Sequence, residues 1–229
     1  MNKKLILFGT GEIAELADYY FTEDSEYEVV AFTCDEEFRK SDTFRNKPLV
    51  SFENIEDQYP SSEFEMHVAL SYAKLNQIRE QKYYEAKKKG FKLASYVCSK
   101  SVFWDDLNIG DNCFILENQT IQPTVKIGNN VMIWSGNHLG HGCEIKDHAY
   151  LSSHICISGH TTIGERCFIG VNSCFKDFIK IGDRVFVAMG ADVTKDVESD
   201  SVVLGSKTTV LEIENEMARK IRKNYFGIE

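Results

Sequence analysis

Five of the six histidines lie between His138 and His160, and that crowding is the first feature of the chain that could do chemistry. Metal binding is the first chemistry to test, because neutral imidazole is a common ligand for transition metals. His148, His154 and His160 follow one another at intervals of six residues, while His141 precedes His160 by nineteen. An imidazole near pH 7 is also the usual general base, able to take a proton from an attacking amine or hydroxyl. A second cluster stands near the start, where Gly9-Thr10-Gly11 with Ala14 makes a glycine-rich turn between an apolar run and a helical pattern. Backbone N–H groups and the helix dipole at such a turn favour a diphosphate, in a nucleotide sugar or in NAD alike. Asp35 follows the next apolar run, where a carboxylate commonly meets a ribose or base. Ser71 follows a further run, as another ligand contact or a plain loop serine.

Two kinds of element must position these residues. Up to about Tyr96, Lys4–Phe8, Glu28–Phe32, Glu65–Leu70 and Lys92–Val97 read as strands, with helical spacing at Ile13–Phe21 and Leu75–Lys89 between them. Such alternation implies a parallel sheet with helices on its faces. Residues 1–96 are enough for half of a dinucleotide-binding fold, which favours a nucleotide-diphosphate sugar over NAD.

Beyond that point the period changes. Every sixth residue from Ile109 to Val193 is apolar, fifteen in succession without an insertion. A period of six fits neither a helix nor a hairpin sheet. It fits a three-sided prism of 18-residue coils, one short strand to a side, with the periodic residue pointing inward. Asn and Gly recur where each corner needs a left-handed backbone, and Cys113, Cys143 and Cys167 fall at small inward positions. On this prism His148, His154 and His160 occupy three different corners, so only a site shared between subunits could gather them around a metal, and His148 and His154 read as surface residues. His160 lies one coil above His141. From Thr208 to Tyr225 the composition is helical, with Val210, Ile213, Met217 and Ile221 on one face, and reads as a cap or packing helix.

The composition is that of a folded, water-soluble chain: 43% hydrophobic and 27% charged over 229 residues. No apolar run approaches the ~20 residues needed to span a bilayer, and the start has no signal-peptide core, so a cytoplasmic location without membrane partners is expected. The net charge of −9 argues against nucleic acid. Seven cysteines without a CxxC pair argue against a disulfide framework and against structural zinc.

Taken together, Phe8-Gly9-Thr10-Gly11, Ala69-Leu70-Ser71 through Arg79, Gly90-Phe91-Lys92-Leu93 and Ile163-Gly164-Glu165-Arg166-Cys167-Phe168-Ile169-Gly170-Val171-Asn172-Ser173 resemble one family. It is the nucleotide-sugar N-acetyltransferases of the bacterial sialic-acid and bacillosamine type, which have hexapeptide repeats. The resemblance implies an α/β Rossmann-like half domain (1–96), a left-handed parallel β-helix (97–207) and a short helical tail (208–229). It implies a homotrimer that transfers acetyl from acetyl-CoA to the amine of a nucleotide-diphosphate sugar in surface-polysaccharide or O-antigen biosynthesis, with no metal. His141 falls at the family's catalytic histidine, and His138-Leu139-Gly140-His141 is similar to the lipid A acyltransferases at theirs. Gly9, Thr10, Gly11, Asp35 and Ser71 are then the substrate contacts, and Tyr150, Gly159, Val171 and Met189 the CoA contacts. Three positions depart from the family. Gly142 replaces an acidic residue or Asn after the base, which leaves a backbone carbonyl or His160 to orient the ring. Tyr150 replaces a second histidine, and Gly205-Ser206-Lys207 replaces a glycine–proline–alanine motif. An O-acyltransferase, a metal-dependent hydratase on the same fold and a non-catalytic scaffold are the alternatives.

Overall fold

An uninterrupted apolar run needs cover on both sides, and β1 (Lys3–Phe8) has it: Leu5 to Phe8 are all buried in the computed structural model. The structure describes residues 3–206 and 209–228. α1 (Glu12–Glu23) follows β1, and Ala14, Ala17 and Phe21 are its buried stripe. After β2 (Tyr27–Cys34) the chain makes a short 3-10 turn and a hairpin of β3 (Thr43–Phe44) and β4 (Lys47–Ser51). The short α2 (Ile55–Gln58), β5 (Glu65–Val68) and α3 (Gln77–Lys88) complete this part. The strand order is β3-β4-β2-β1-β5, parallel except for β3 against β4. This is the expected parallel half-sheet, with an added hairpin that turns through Arg45 and Asn46, both at positive φ.

One expected strand is placed differently. Lys92–Val97 does not extend this sheet: Leu93 makes a single bridge to Met66, and β6 (Tyr96–Val97) pairs with Phe114–Ile115 at the top of the prism. The chain thus leaves one sheet and enters the next within a few residues.

From there each coil places three two-residue strands on three separate parallel sheets. The first face carries Phe114–Ile115, Met132–Ile133, Tyr150–Leu151, Phe168–Ile169 and Phe186–Val187. The second carries Thr120–Ile121, His138–Leu139, Cys156–Ile157, Cys174–Phe175 and Asp192–Val193. The third runs from Asn108–Ile109 to Lys180–Ile181. Partners are 18 residues apart, as in Ile127 with Ile145 and Ile133 with Leu151. All of the periodic apolar residues from Ile115 to Val193 are buried, and Cys113, Cys143 and Cys167 fill the inward corner positions. Asn, His and Arg hold the left-handed corners, among them Asn112, Asn130, His148, His154, His160 and Arg166.

The α/β part sits on the first face and on the corner between the third and first faces. Arg79 of α3 donates to the carbonyls of His148 and Ala149, and Asn76 donates to those of Arg166 and Cys167, one coil further on. Beneath them runs a polar column. The Val68 N–H donates to Asn112 Oδ1, Asn112 Nδ2 to Asn130 Oδ1, and Asn130 Nδ2 to His148 Nδ1 at 2.9 Å. His148 is therefore not the surface corner residue expected from its spacing. It is 2% exposed, because α3 lies over this corner with Tyr83 and Tyr84 against the ring.

α4 (Glu216–Phe226) is shorter than the expected helix, whose first residue, Thr208, lies outside the described residues. Among the described residues its expected packing is not found: Val210, Ile213, Met217 and Ile221 are all exposed. No helix among the described residues is long and apolar enough to cross a membrane.

Burial holds His148 and His67 neutral, each lowered from 6.5 to about 4. Unfolding therefore takes up protons between those values, so stability is full above pH 6.5 and falls as the pH drops toward 4. The denaturant midpoint should fall across that window, and His148→Asn should flatten the fall; a midpoint that stays constant contradicts this.

Candidate active site

His141 stands at the corner between the second and third faces, exposed to solvent. Its backbone N–H donates to Gln122 Oε1 at 2.8 Å, and its Nδ1 lies 3.2 Å from the same oxygen. A backbone N–H can only donate, so the atom facing it is the amide oxygen and not the amide nitrogen. That oxygen in turn requires the proton to be on Nδ1, which leaves the Nε2 lone pair free to accept one. Gln122 is thus the orienting group that sequence reasoning left between a backbone carbonyl and His160. Its spacing of nineteen to His141 is the same one that singled out His160 and could have found it.

The two glycines beside the ring have steric reasons. A Cβ on Gly159 would lie 2.9 Å from His141 Cε1 and 3.1 Å from Nε2, so any side chain there displaces the imidazole. Gly142 is at φ +68°, and a Cβ on it would lie 2.5 Å from His160 Nδ1. Gly142 therefore makes room for the His160 ring. That ring stands edge-on to His141, with centroids 4.9 Å apart at 88°, and rests on Phe178 at 4.8 Å.

The expected substrate residues gather elsewhere. Gly9, Thr10, Gly11 and Asp35 line a cavity of about 210 Å³ with Phe38 and Lys82. Gly9 has φ +132°, and a Cβ there would lie 2.7 Å from the Ala69 carbonyl oxygen, so the turn can pass this close to the next strand end only as glycine. Asp35 Oδ1 accepts from Lys82 Nζ at 2.7 Å. Sequence reasoning missed this lysine, whose pattern on α3 reads only as a helix face.

Gly11, Leu70 and Ile78 are shared with a larger cavity of about 500 Å³, which runs from the N-terminus of α1 past Ser71 to Trp134 and Tyr150 on the first face. Tyr150 therefore lies with the substrate residues and not with Gly159. Val171 and Met189 lie one coil apart at the corner between the first and second faces, Met189 being 72% exposed. Within one chain the structure does not bring His141 to the cavity, since the corner that carries it is opposite the first face. Ser206 is the last described residue of Gly205-Ser206-Lys207, and Lys207 lies outside. Among the described residues, no group of three or more His, Cys, Asp or Glu is arranged to hold a metal ion.

Fold and repeats together define the architecture: a left-handed parallel β-helix of hexapeptide repeats behind an α/β domain. Residues 124–154 match the bacterial transferase hexapeptide family (six repeats), and residues 160–195 match the hexapeptide repeat of succinyl-transferase. Among solved structures, the acetyltransferase domain of PglB from Neisseria gonorrhoeae, in complex with acetyl coenzyme A, is similar at a TM-score of 0.79 and 21% identity, over 92% of this chain and 100% of that one. The perosamine N-acetyltransferase of Caulobacter crescentus was solved with CoA and GDP-perosamine. It is similar at a TM-score of 0.77 and 19% identity, over 91% and 97% of the two chains. Among curated proteins, the acyl-[acyl-carrier-protein]–UDP-N-acetylglucosamine O-acyltransferase of Sinorhizobium fredii is 30% identical over 98 residues, 40% of this chain and 36% of that protein. Bifunctional GlmU of Listeria monocytogenes is 30% identical over 116 residues, 43% of this chain and 25% of that protein. The chain thus spans well under half the length of these curated relatives.

Gly159→Ala should push the imidazole off its seat while the fold persists. Expected are an unfolding midpoint close to wild type and a changed rate of ethoxycarbonylation of His141 by diethyl pyrocarbonate. Unchanged reactivity of that ring contradicts the packing described.

Proposed function

We propose that the protein is a nucleotide-amino-sugar N-acetyltransferase with acetyl-CoA as donor, working as a homotrimer with His141 as general base. The observation that carries this reading is the free Nε2 of His141, held ready by Gln122 on a rigid corner that faces away from its own chain's cavity. A neighbouring protomer that set its cavity against that corner would complete the site, and Val171 and Met189 beside the cavity's face would then border the thioester. The similar structures solved with CoA and GDP-perosamine or with acetyl coenzyme A support the two substrate classes. The division at residues 96 and 207, and a cytoplasmic setting, go with this assignment.

In the reaction, the sugar nitrogen attacks the thioester carbonyl carbon, and Nε2 of His141 takes the proton released from nitrogen. Backbone N–H groups at the coil corners stabilise the oxyanion. As the tetrahedral adduct collapses, the C–S bond breaks and the proton passes from the imidazolium to the departing thiolate, giving the amide and CoA. The diphosphate lies at the α1 N-terminus beside Gly9, Thr10 and Gly11, the base near Asp35 and the sugar toward Ser71. No step needs a metal.

An O-acyltransferase reading is favoured by the Sinorhizobium relative, which is an O-acyltransferase by name. Thiol release from acetyl-CoA, measured against UDP-, dTDP- and GDP-linked amino sugars and their hydroxy counterparts, separates the two. Release with an amino sugar and none with the matching hydroxy sugar is expected. His141→Ala should lower kcat by ~10²–10⁴ with the fold intact. A variant within tenfold of wild type removes His141 from the mechanism.

A further inference from the structure

Tyr150 occupies the position that the family resemblance gives to the thioester, but its surroundings indicate a different task. The residue is 4% exposed, and its ring is stacked on Phe168 at 5.3 Å and 9°. The Arg79 guanidinium lies 5.7 Å from the ring centroid, and Tyr72 meets it edge-on at 5.1 Å. The phenol oxygen accepts the indole N–H of Trp134, and Ser71 lines the same cavity beside it. An indole nitrogen can only donate, so the phenol proton is not used toward Trp134. Burial of the ring raises the phenol's pKa, so that proton stays on the oxygen at neutral pH.

Trp134, Ser71 and Tyr150 all line the larger cavity, whose other walls near them are apolar, with Ile13, Leu70 and Ile78 among them. A fixed donor in such a wall rewards a ligand oxygen placed against it and penalises a ligand that leaves it unpaired. The indole beside it offers a flat apolar surface to the C–H face of a pyranose. The α1 N-terminus at the other end of the same cavity suits the diphosphate, so the hexose of a nucleotide sugar is the group that reaches Trp134 and Tyr150.

We propose that Tyr150, oriented by Trp134, is the hydrogen-bond donor that holds an oxygen substituent of the acceptor hexose within its own protomer's cavity, and that it does not hold the thioester. This rests on the acceptor class proposed above and extends it, since it assigns a specificity-determining residue to the sugar.

The test is a split of Michaelis constants, with a binding measurement beside it. Tyr150→Phe removes only the hydroxyl. It should raise KM for the amino sugar about tenfold and leave KM for acetyl-CoA within twofold. Trp134→Phe keeps an aromatic surface without the N–H, and should move the same constant in the same direction by a smaller factor. A rise confined to KM for acetyl-CoA overturns the proposal. Calorimetric titration of the same nucleotide sugar, without acetyl-CoA, should show about tenfold weaker binding to Tyr150→Phe. If wild type binds it more tightly than the variant but transfers no acetyl group, the transferase reading fails and the assignment of Tyr150 stands. Equal binding by the two proteins, or none by either, overturns the assignment.

Discussion

The stacking of coils at 18 residues per turn is the constraint on which the rest of this structure depends. Backbone hydrogen bonds between coils hold partners such as Ile127 and Ile145 in register, and the inward ladder of Ile, Leu and Val makes any slip expensive. Chemistry follows from this spacing. Residues six apart diverge to different corners, as His148, His154 and His160 do, and residues about a coil apart meet. Gln122, His141 and His160 are linked in that way at one corner, where a carboxamide fixes the tautomer of the imidazole and a second ring packs beside it.

The second determinant is the clamp between the two parts of the chain. Asn76 and Arg79 reach from α3 to four carbonyls on two successive coils, while the Asn112–Asn130–His148 column ties the same corner to the end of β5. Arg79 is buried with carbonyl and carboxamide acceptors and an aromatic ring as its neighbours, and desolvation lowers its pKa to about 10. A buried cation held in this manner has few alternative positions. The orientation it imposes sets the glycine-rich turn and Ser71 over the first face, so that two adjoining cavities, which share Gly11, Leu70 and Ile78, lie between Asp35 and Tyr150. The same orientation leaves His141 on the opposite corner, which makes the proposed site a property of the assembly.

Much of this was legible in the chain itself. The six-residue period predicted which side chains point inward, coil by coil, because a stacked prism has little freedom once its period is set. The glycine-rich turn, Asp35 and Ser71 were legible because strand ends in a parallel sheet present their residues to one edge. What escaped were contacts between distant segments. Nothing local marks Gln122 as the partner of His141, or Lys82 as that of Asp35. His148 looked exposed because its hexad position is a corner, and only the docking of α3 buries it. Lys92–Val97 has the pattern of a strand, and the pattern does not say which sheet it joins. The hairpin of β3 and β4 is too short, at two and five residues, for periodicity to show it.

The central claim, that each site takes its base from one protomer and its cavity from another, can be measured by mixing two defective chains. Gly11 borders both cavities, and a Cβ there meets nothing within 4 Å, so Gly11→Trp should fold and fill the substrate site. This variant and His141→Ala should each be inactive alone. Co-expressed in equal amounts and assorting at random, they should recover about a quarter of wild-type acetyl transfer, since that fraction of sites pairs an intact base with an intact cavity. Activity that stays at the level of the two variants measured separately would place base and cavity in the same chain and contradict the account.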